Sequence, residues 1–222
     1  MEPKLFFTAD THYHHKNICR GESRWTNKSG CRDFDTLEEM DKKIIDGINS
    51  VVGPDDILFH LGDFSFGEPK DYKRFRSQLI CQNIHLILGN HDGFIIRNDD
   101  DLQELFSSTR FYAEVTYNSQ KIIMSHYAMR VWNMSHHGSW MLYGHSHGSL
   151  QPSVCGELIN HLIDKKKYAD LKMLTKGTHP EYHANGKSMD VGVDTHPDFR
   201  PYSFNEIAKI MKNRQIMHVD NH

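Results

Sequence analysis

Short apolar runs alternate with stretches of helical period along the first half of the chain. A run of four or five mostly apolar residues predicts a buried strand, and apolar positions three and four residues apart predict an amphipathic helix. Strands are predicted over residues 5–8, 57–61 and 84–88, with helices that begin near Thr36 and Pro69 and a short helix near 99–106. Thr36 and Glu39 have the spacing of a capping box, which supports a helix start there.

The second half of the chain adds shorter strands and one closing helix. Strands are predicted over residues 111–117 and 120–125, joined at Asn118-Ser119, and over residues 141–143 and 189–193. Ser203 and Glu206 repeat the capping-box spacing at the start of the last helix. Residues 153–187 mix a helical pattern with glycine, proline and asparagine, so we interpret them as an excursion from a single domain spanning residues 1–222. Alternating strands and helices predict α/β layers around a sheet core.

Composition and charge argue against several classes of protein. The chain has 38% hydrophobic and 25% charged residues, an ordinary balance for a globular protein. No apolar run approaches the roughly 18 residues that cross a bilayer, and the N-terminus lacks the pattern of a signal peptide. The net charge of −3 provides no global field that would attract nucleic acid or an anionic membrane. Free thiols and a cytoplasmic location are expected, because the four cysteines are far apart: Cys19, Cys31, Cys81 and Cys155.

The chemistry is expected where the apolar strands end. The chain has 17 histidines, and the concentrated use of histidine in proteins is metal binding and proton transfer. Five predicted strands are each followed within a few residues by side chains that can bind metal. These are Asp10 and His12, then Asp63, then Asn90 with His91 and Asp92, then His126, and finally His145 and His147. Loops at the carboxyl ends of strands converge in an open α/β sheet, so we expect one site.

The types of ligand indicate a metal-dependent reaction. Carboxylates and imidazoles without a thiolate cluster favour zinc, manganese or iron, and they disfavour a purely structural zinc site. The D-x-H and H-x-H spacings would place both side chains on one side of a pleated strand. Gly62, Gly89 and Gly144 each precede a ligand and suit a tight turn. Asp63, central in the order, is the natural carboxylate to bridge two ions through its two oxygens. Each motif alone occurs more often in a surface loop, but five such motifs in this order argue against that interpretation.

The order of motifs, D-x-H, G-D, G-N-H-D, a lone histidine and G-H-x-H, resembles that of the calcineurin-like metallophosphoesterases. Residues 125–127, 140–148 and 190–194 are similar to stretches of the small single-domain bacterial and phage members. The resemblance implies an α/β fold, the metallophosphoesterase αββα four-layer sandwich. It also implies two divalent metal ions, with Mn, Zn, Fe and Ni all left open. Asp10, His12 and His147 would hold the first metal, Asn90, His126 and His145 the second, and Asp63 would bridge them.

Other residues are candidates for roles around the metals. By the same resemblance, His91 would contact the phosphate as general acid, with Asp92 as its orienting partner. His15 and Arg20, in the loop after the first motif, are candidates for substrate binding, and a polar surface loop is the alternative for both. His196 could orient a ligand imidazole from outside the metal site.

The expected function is hydrolysis of small phosphodiesters or phosphomonoesters by a hydroxide that bridges the two metals. Nucleotides or cyclic nucleotides are the first substrates to consider. Residues 63–67, D-F-S-F-G, lack the D-R pair of the protein-phosphatase branch, which argues against a Ser/Thr protein phosphatase. A nuclease with the same site is an alternative that the acidic charge disfavours, and Trp25 is expected to anchor its loop rather than stack a base. A catalytically silent metal-binding scaffold is the other alternative. No membrane partner is expected, and the oligomeric state is left open.

Overall fold

The first of two sheets carries three of the strands that lead into candidate ligands. The computed structural model describes residues 2–97, 99–150 and 186–216. In spatial order, the strands of this sheet are β4 (Ser108–Arg110), β3 (Asn83–Ile87), β2 (Ile57–His60), β1 (Leu5–Thr8) and β9 (Tyr202–Ser203). Strands β1 to β4 pair in parallel, and β9 pairs antiparallel with β1. The carboxyl ends of β1, β2 and β3 therefore meet at one edge of the sheet.

The second sheet supplies the other strand ends. Its order is β5 (Tyr112–Tyr117), β6 (Gln120–Ser125), β7 (Trp140–Tyr143) and β8 (Ser188–Asp190). Strands β5 and β6 form an antiparallel hairpin, whereas β6, β7 and β8 pair in parallel. The hairpin turns at Asn118 and Ser119, whose φ angles of 48° and 62° are those of a two-residue turn that matches the twist of its strands. The predicted hairpin is thus confirmed.

Two helices begin at the predicted capping residues. The α-helices of the described residues are α1 (Leu37–Val51), α2 (Pro69–Ser77), α3 (Gly93–Ile96), α4 (Asp100–Gln103) and α5 (Phe204–Lys212). The hydroxyl of Thr36 accepts from the backbone N–H of Glu39, and the Glu39 carboxylate accepts from the backbone N–H of Thr36. Ser203 and Glu206 form the same reciprocal cap on α5. Both capping boxes predicted from the sequence are confirmed.

Two buried layers of side chains join the helices and sheets. On one face of the first sheet, Phe6 packs in a cluster with Ile44 of α1 and Phe75 of α2. On its other face, Phe7 belongs to a second cluster that includes Leu142 of the second sheet. Because the first sheet is covered on both faces, its internal strand β1 is buried along its whole length, as a short apolar run predicts.

The outer face of the second sheet is also covered. Its residues Ile123, Met141 and Tyr143 form a third cluster with Trp132, and Met129 packs against it. A short 3-10 helix (Ser135–His137) follows in the same segment. The two sheets therefore pack face to face between helical and loop layers, which is the α/β sandwich that the resemblance implies. Among the described residues, no helix is both long and apolar enough to span a membrane.

The differences from the predicted elements lie in the shortest segments. Strands β4 and β9 and helix α3 were not predicted, because two to four residues are too few to show a period. The predicted strand over 189–193 ends at Asp190 instead. The chain there leaves the second sheet, forms a bridge from Gly192 to Ala9, and turns into a 3-10 helix (Val193–Thr195). Apart from residues 186 and 187, the predicted excursion lies outside the described residues.

Candidate metal centre

The ends of the two sheets are joined by backbone hydrogen bonds around one point. The N–H of Asp10 donates to Gly62 across the first sheet, and the N–H of Gly144 donates to His126 within the second. The N–H of His145 donates to both carboxylate oxygens of Asp10, at 3.0 and 2.9 Å, and this contact connects the two sheets. Loops that follow β1, β2, β3, β6 and β7 therefore converge, as the strand-end pattern predicts.

Most of the candidate ligands lie in left-handed backbone. The φ angles are 54° at Asp10, 46° at His12, 56° at Asp63, 69° at His145 and 47° at His147. The prediction that a pleated strand aligns these side chains is wrong, because they lie beyond the strand ends. Alternating left-handed residues in the loops aim them inward instead. Non-glycine residues in this conformation are strained, and such strain concentrates at functional sites.

The structure brings all seven predicted ligand residues together in two adjacent groups. Ligand atoms of Asp10, His12 and His147 lie within 4.8 Å of one another, and so do those of Asp63, His126 and His145. The carboxamide oxygen of Asn90 joins the second group, 3.0 Å from His126 Nε2 and 3.0 Å from His145 Nδ1. Each group offers the oxygen and imidazole donors that divalent transition metals accept.

Asp63 lies between the two groups and faces both with a single atom. Its Oδ2 is 3.5 Å from Nε2 of His12 and 3.5 Å from Nε2 of His126. The other oxygen, Oδ1, accepts a 2.8 Å hydrogen bond from the backbone N–H of His91. The structure thus differs from the expectation that both oxygens would serve as bridging atoms. One oxygen faces the two groups, and the other holds the loop that carries Asn90 and His91.

Two of the candidate ligand histidines, His12 and His126, are held in the form that binds metal. Nδ1 of His126 lies 2.8 Å from the carbonyl oxygen of Leu61. Because a carbonyl oxygen can only accept a hydrogen bond, Nδ1 carries the ring proton and Nε2 is unprotonated. Burial lowers the pKa of His126, and it lowers the pKa of His12 well below 6.5, where Arg32 adds to the effect. Both rings therefore present unprotonated nitrogens at neutral pH.

His147 is oriented by two residues that the sequence analysis did not identify. Its Nδ1 lies 2.6 Å from Oδ2 of Asp194. Asp194 in turn accepts two hydrogen bonds from the buried guanidinium of Arg32, at 2.6 and 2.8 Å. Burial alone would lower the pKa of His147, but the hydrogen bond to Asp194 raises it. A carboxylate behind a ligand histidine fixes its ring and increases its basicity.

The residue predicted for that orienting role, His196, faces elsewhere. Its Nδ1 accepts from the backbone N–H of Asp198, and its Nε2 lies 4.0 Å from Glu206. The signal for Asp194 was available in the D-V-G-V-D stretch already linked to the resemblance. Arg32 had no such signal, because it lies in a polar loop 162 positions before its partner.

The buried acids in the site fit a bound cation. Asp10 is fully buried, and burial raises its pKa well above 3.8. Neighbouring carboxylates of Asp190 and Asp63 raise it further, and His147 opposes them. Carboxylates gathered away from water cost free energy unless positive charge neutralises them. A divalent cation among these donors would supply that charge.

Two of the predicted glycines leave room for the ligands rather than making ordinary turns. Gly62 has a φ of 97°, and a Cβ there would lie 2.6 Å from Nδ1 of His126. Gly89 does not need unusual backbone angles, but a Cβ there would lie 2.3 Å from Oδ1 of Asp63. A side chain at either position would displace a candidate ligand, so packing requires glycine at both positions.

Asp92 holds loops together rather than the imidazole of His91. Its carboxylate accepts from the backbone N–H groups of Asp63 and Phe64 at 2.9 and 3.1 Å, and from that of Gly89 at 2.8 Å. Burial raises its pKa to about 7, and these three N–H groups oppose that shift. The predicted orienting role therefore gives way to a structural one, since Asp92 links the loop after β2 to the loop after β3.

The remaining candidates lie at different distances from the metal groups. His91 is exposed beside the first group, with its ring centroid 5.2 Å from that of His12. His15 is buried, with its ring centroid 5.4 Å from that of His12. Its predicted contact with substrate stays a prediction. Arg20 forms an exposed ion pair with Asp33 and donates weakly to the carbonyl of Cys31. Its predicted role in substrate binding also stays a prediction.

Comparisons with known proteins found a similar sequence and similar solved structures. Uncharacterized protein MJ1445 of Methanocaldococcus jannaschii is 26% identical over 219 residues, or 98% of this chain and 97% of that protein. A protein of unknown function from Aquifex aeolicus, AQ665, has a crystal structure that covers 94% of this chain and 100% of its own, with 21% identity and a TM-score of 0.58. A novel archaeal phosphodiesterase covers 68% of this chain and 78% of its own, with 21% identity and a TM-score of 0.40.

The family comparison covers the strands and loops that form the site. The model for calcineurin-like phosphoesterases matches residues 3–149, from the start of β1 to just beyond His147. This match includes all seven candidate ligands and His91. The chain therefore belongs to the calcineurin-like phosphoesterase family, and it is a metal-dependent phosphoric ester hydrolase.

Proposed function

We propose that the protein binds two divalent cations at the paired groups and hydrolyses small phosphodiesters or phosphomonoesters, with nucleotides and cyclic nucleotides as the first substrates to test. The observation that carries the proposal is the position of Asp63, whose Oδ2 is equally far from a nitrogen of each group. A carboxylate oxygen shared in this way fits two ions held close together and does not fit two independent sites.

The proposed ligands of each ion are those that the family resemblance implies. Asp10, His12 and His147 would hold one ion, whereas Asn90, His126 and His145 would hold the other, with Asp63 between them. When bound, two such cations neutralise a phosphoryl group and lower the pKa of a water molecule between them. The nitrogen and oxygen donor set suits Mn, Fe, Zn or Ni.

His91 is the proposed general acid. Its backbone N–H is fixed by Asp63, while its imidazole projects into solvent beside the first group. In hydrolysis the P–O ester bond breaks, phosphorus gains the OH of water, and the leaving oxygen needs a proton. A positioned imidazole supplies such a proton and typically accelerates the reaction by about 10²–10⁴-fold.

The test of this role compares leaving groups. An alkoxide such as a ribose oxygen requires a proton, whereas a nitrophenolate leaves readily without one. His91→Ala should therefore reduce kcat for nucleoside or alkyl esters far more than kcat for nitrophenyl esters, with metal content unchanged. His136→Ala is a matched control, because this histidine lies in the 3-10 helix over the second sheet.

The outcomes separate the alternatives. Equal losses on both classes of ester would assign His91 to phosphate binding rather than proton transfer. Loss of metal from His91→Ala would make it a ligand and contradict the proposed assignment. Turnover of DNA or RNA in preference to every small ester would favour the nuclease, and no turnover of any phosphoester by the metal-loaded protein would favour a silent scaffold.

A further inference from the structure

An aromatic surface borders the candidate metal centre on one side. Phe66 is 42% exposed and Trp25 is 45% exposed, although both are large apolar residues. Phe66 lies three positions after Asp63, in the segment where the protein-phosphatase branch has its D-R pair. The family resemblance assigns no role to either ring, and neither belongs to a buried core cluster.

The ring of Phe66 is held in a fixed position. Its backbone N–H donates to the carbonyl of Tyr13 at 2.9 Å, which ties it to the loop after β1. The buried imidazole of His15 stacks on one face, with ring centroids 3.6 Å apart and planes 10° from parallel. Trp25 packs against that imidazole in a T-shaped arrangement, with ring centroids 5.9 Å apart. His15 and Trp25 therefore support Phe66 from beneath and leave part of its surface open to solvent.

The open ring lies on the side of the general acid. The centroid of Phe66 is 5.0 Å from that of His91 and 6.3 Å from that of His12. Tyr127 lies beside the second group, where its hydroxyl is 3.4 Å from the Asn90 oxygen and its ring centroid is 4.7 Å from that of His145. Because the acid must stand beside the leaving oxygen, Phe66 borders the leaving group and Tyr127 borders the part of the substrate that is retained.

We propose that Phe66, supported by His15 and Trp25, stacks the base of a leaving nucleoside and so determines which phosphoesters the enzyme prefers. This inference rests on the proposed function, because it assigns the substrate class of the same site. An exposed aromatic face next to a general acid suits a leaving group whose alkoxide oxygen takes the proton and whose planar ring, some bonds away, stacks on that face. A phenolate needs no acid, so an aryl ester would leave His91 without a task. Bases of any sequence stack on exposed aromatic rings.

The test compares esters that share one leaving alkoxide. Adenosine 5′-phosphate and ribose 5-phosphate, each as monoester and as methyl diester, differ only in the base. Phe66→Ala should lower kcat/KM for the adenosine esters by about 5- to 150-fold, the range measured for loss of a base-stacking ring. It should leave kcat/KM for the ribose esters and the metal content unchanged. Phe66→Tyr keeps the ring and should retain the preference, and Phe111→Ala, at an exposed phenylalanine between β4 and β5, is the control.

The products of the methyl diester test the direction of binding. With the base on the leaving side, water adds to phosphorus, the 5′-oxygen takes the proton, and the products are adenosine and methyl phosphate. Adenosine 5′-phosphate and methanol as the products would place the base on the Tyr127 side and overturn the inference. An equal effect of Phe66→Ala on adenosine and ribose esters would overturn it too.

The inference and the proposed function fail in different ways. Turnover of bis(4-nitrophenyl) phosphate without turnover of any adenosine ester would overturn the role of Phe66 and leave the phosphoesterase proposal intact. No turnover of any phosphoester by the metal-loaded protein would overturn the proposed function, and the role of Phe66 with it.

Discussion

Replacement of Arg32 by methionine should destabilise the protein strongly, although Arg32 is neither a proposed metal ligand nor a proposed substrate-binding residue. Arg32 is 4% exposed, and its side chain makes four hydrogen bonds. Two go to the carboxylate of Asp194, and two go to the backbone carbonyls of Asp10 and Thr11, at 2.5 and 2.9 Å. Methionine is of similar length and apolar, so the substitution removes these bonds with little change in packing volume.

The magnitude follows from what the substitution leaves behind. The carboxylate of Asp194 would stay largely buried with His147 as its remaining side-chain partner, and breaking one half of a buried ion pair costs about 3–5 kcal/mol. For a protein of this size, that loss lowers Tm by about 6–20 °C. Burial alone would raise the pKa of Asp194, but Arg32 and His147 hold it below 3.8. The stabilisation is therefore complete above about pH 4 and is lost only as the pH falls further.

The assay is urea unfolding at pH 7 in excess chelator, so that metal binding does not contribute to the free energy of unfolding. Arg20→Met is the matched control, because Arg20 forms an exposed ion pair with Asp33 and should contribute under about 1 kcal/mol. A loss at Arg32 no larger than the loss at Arg20 would refute the argument that this ion pair supports the site.

Two further predictions concern single backbone and charge contacts. Gly62→Ala would place a Cβ 2.6 Å from Nδ1 of His126 at a φ of 97°, and should lower the free energy of unfolding by about 2–5 kcal/mol in denaturant titrations. Gly30→Ala, where a Cβ meets no atom within 4 Å, should change it by under about 0.5 kcal/mol, and equal effects would contradict the packing argument. The ion pair with Arg200 lowers the pKa of Glu206 from 4.5 to about 2, so its stabilisation is complete above pH 4.5 and is lost as the pH falls toward 2. Glu206→Gln should cost about 1–2 kcal/mol at pH 7 and flatten the stability curve in that range, and an unchanged slope would count against this assignment.

The sequence predicts the strands and the order of ligands because both depend on local patterns. A buried strand such as Leu5–Thr8 requires an apolar run, and a ligand at its end requires a particular residue type. The capping boxes are local in the same sense. These patterns are sufficient to predict that the seven residues converge, and the structure brings them together from the ends of two sheets.

What the sequence could not predict depends on contacts between distant residues. The pairing of Arg32 with Asp194 spans 162 positions, and neither residue shows a local pattern that names its partner. The left-handed backbone at Asp10 and His12 arises because loops from two sheets hold it there. The exposed ring of Phe66 looks like any other aromatic residue until the structure shows that it lies beside His91.

The central claim is that the paired groups form one two-metal hydrolytic site. Its most direct test is a titration of chelator-stripped protein with Mn²⁺, while hydrolysis of bis(4-nitrophenyl) phosphate is followed together with bound metal. We predict no hydrolysis by the stripped protein and a rise in rate that reaches its plateau when two ions are bound per chain. Full activity of the stripped protein in excess chelator, or a plateau reached with one ion bound per chain, would contradict the account.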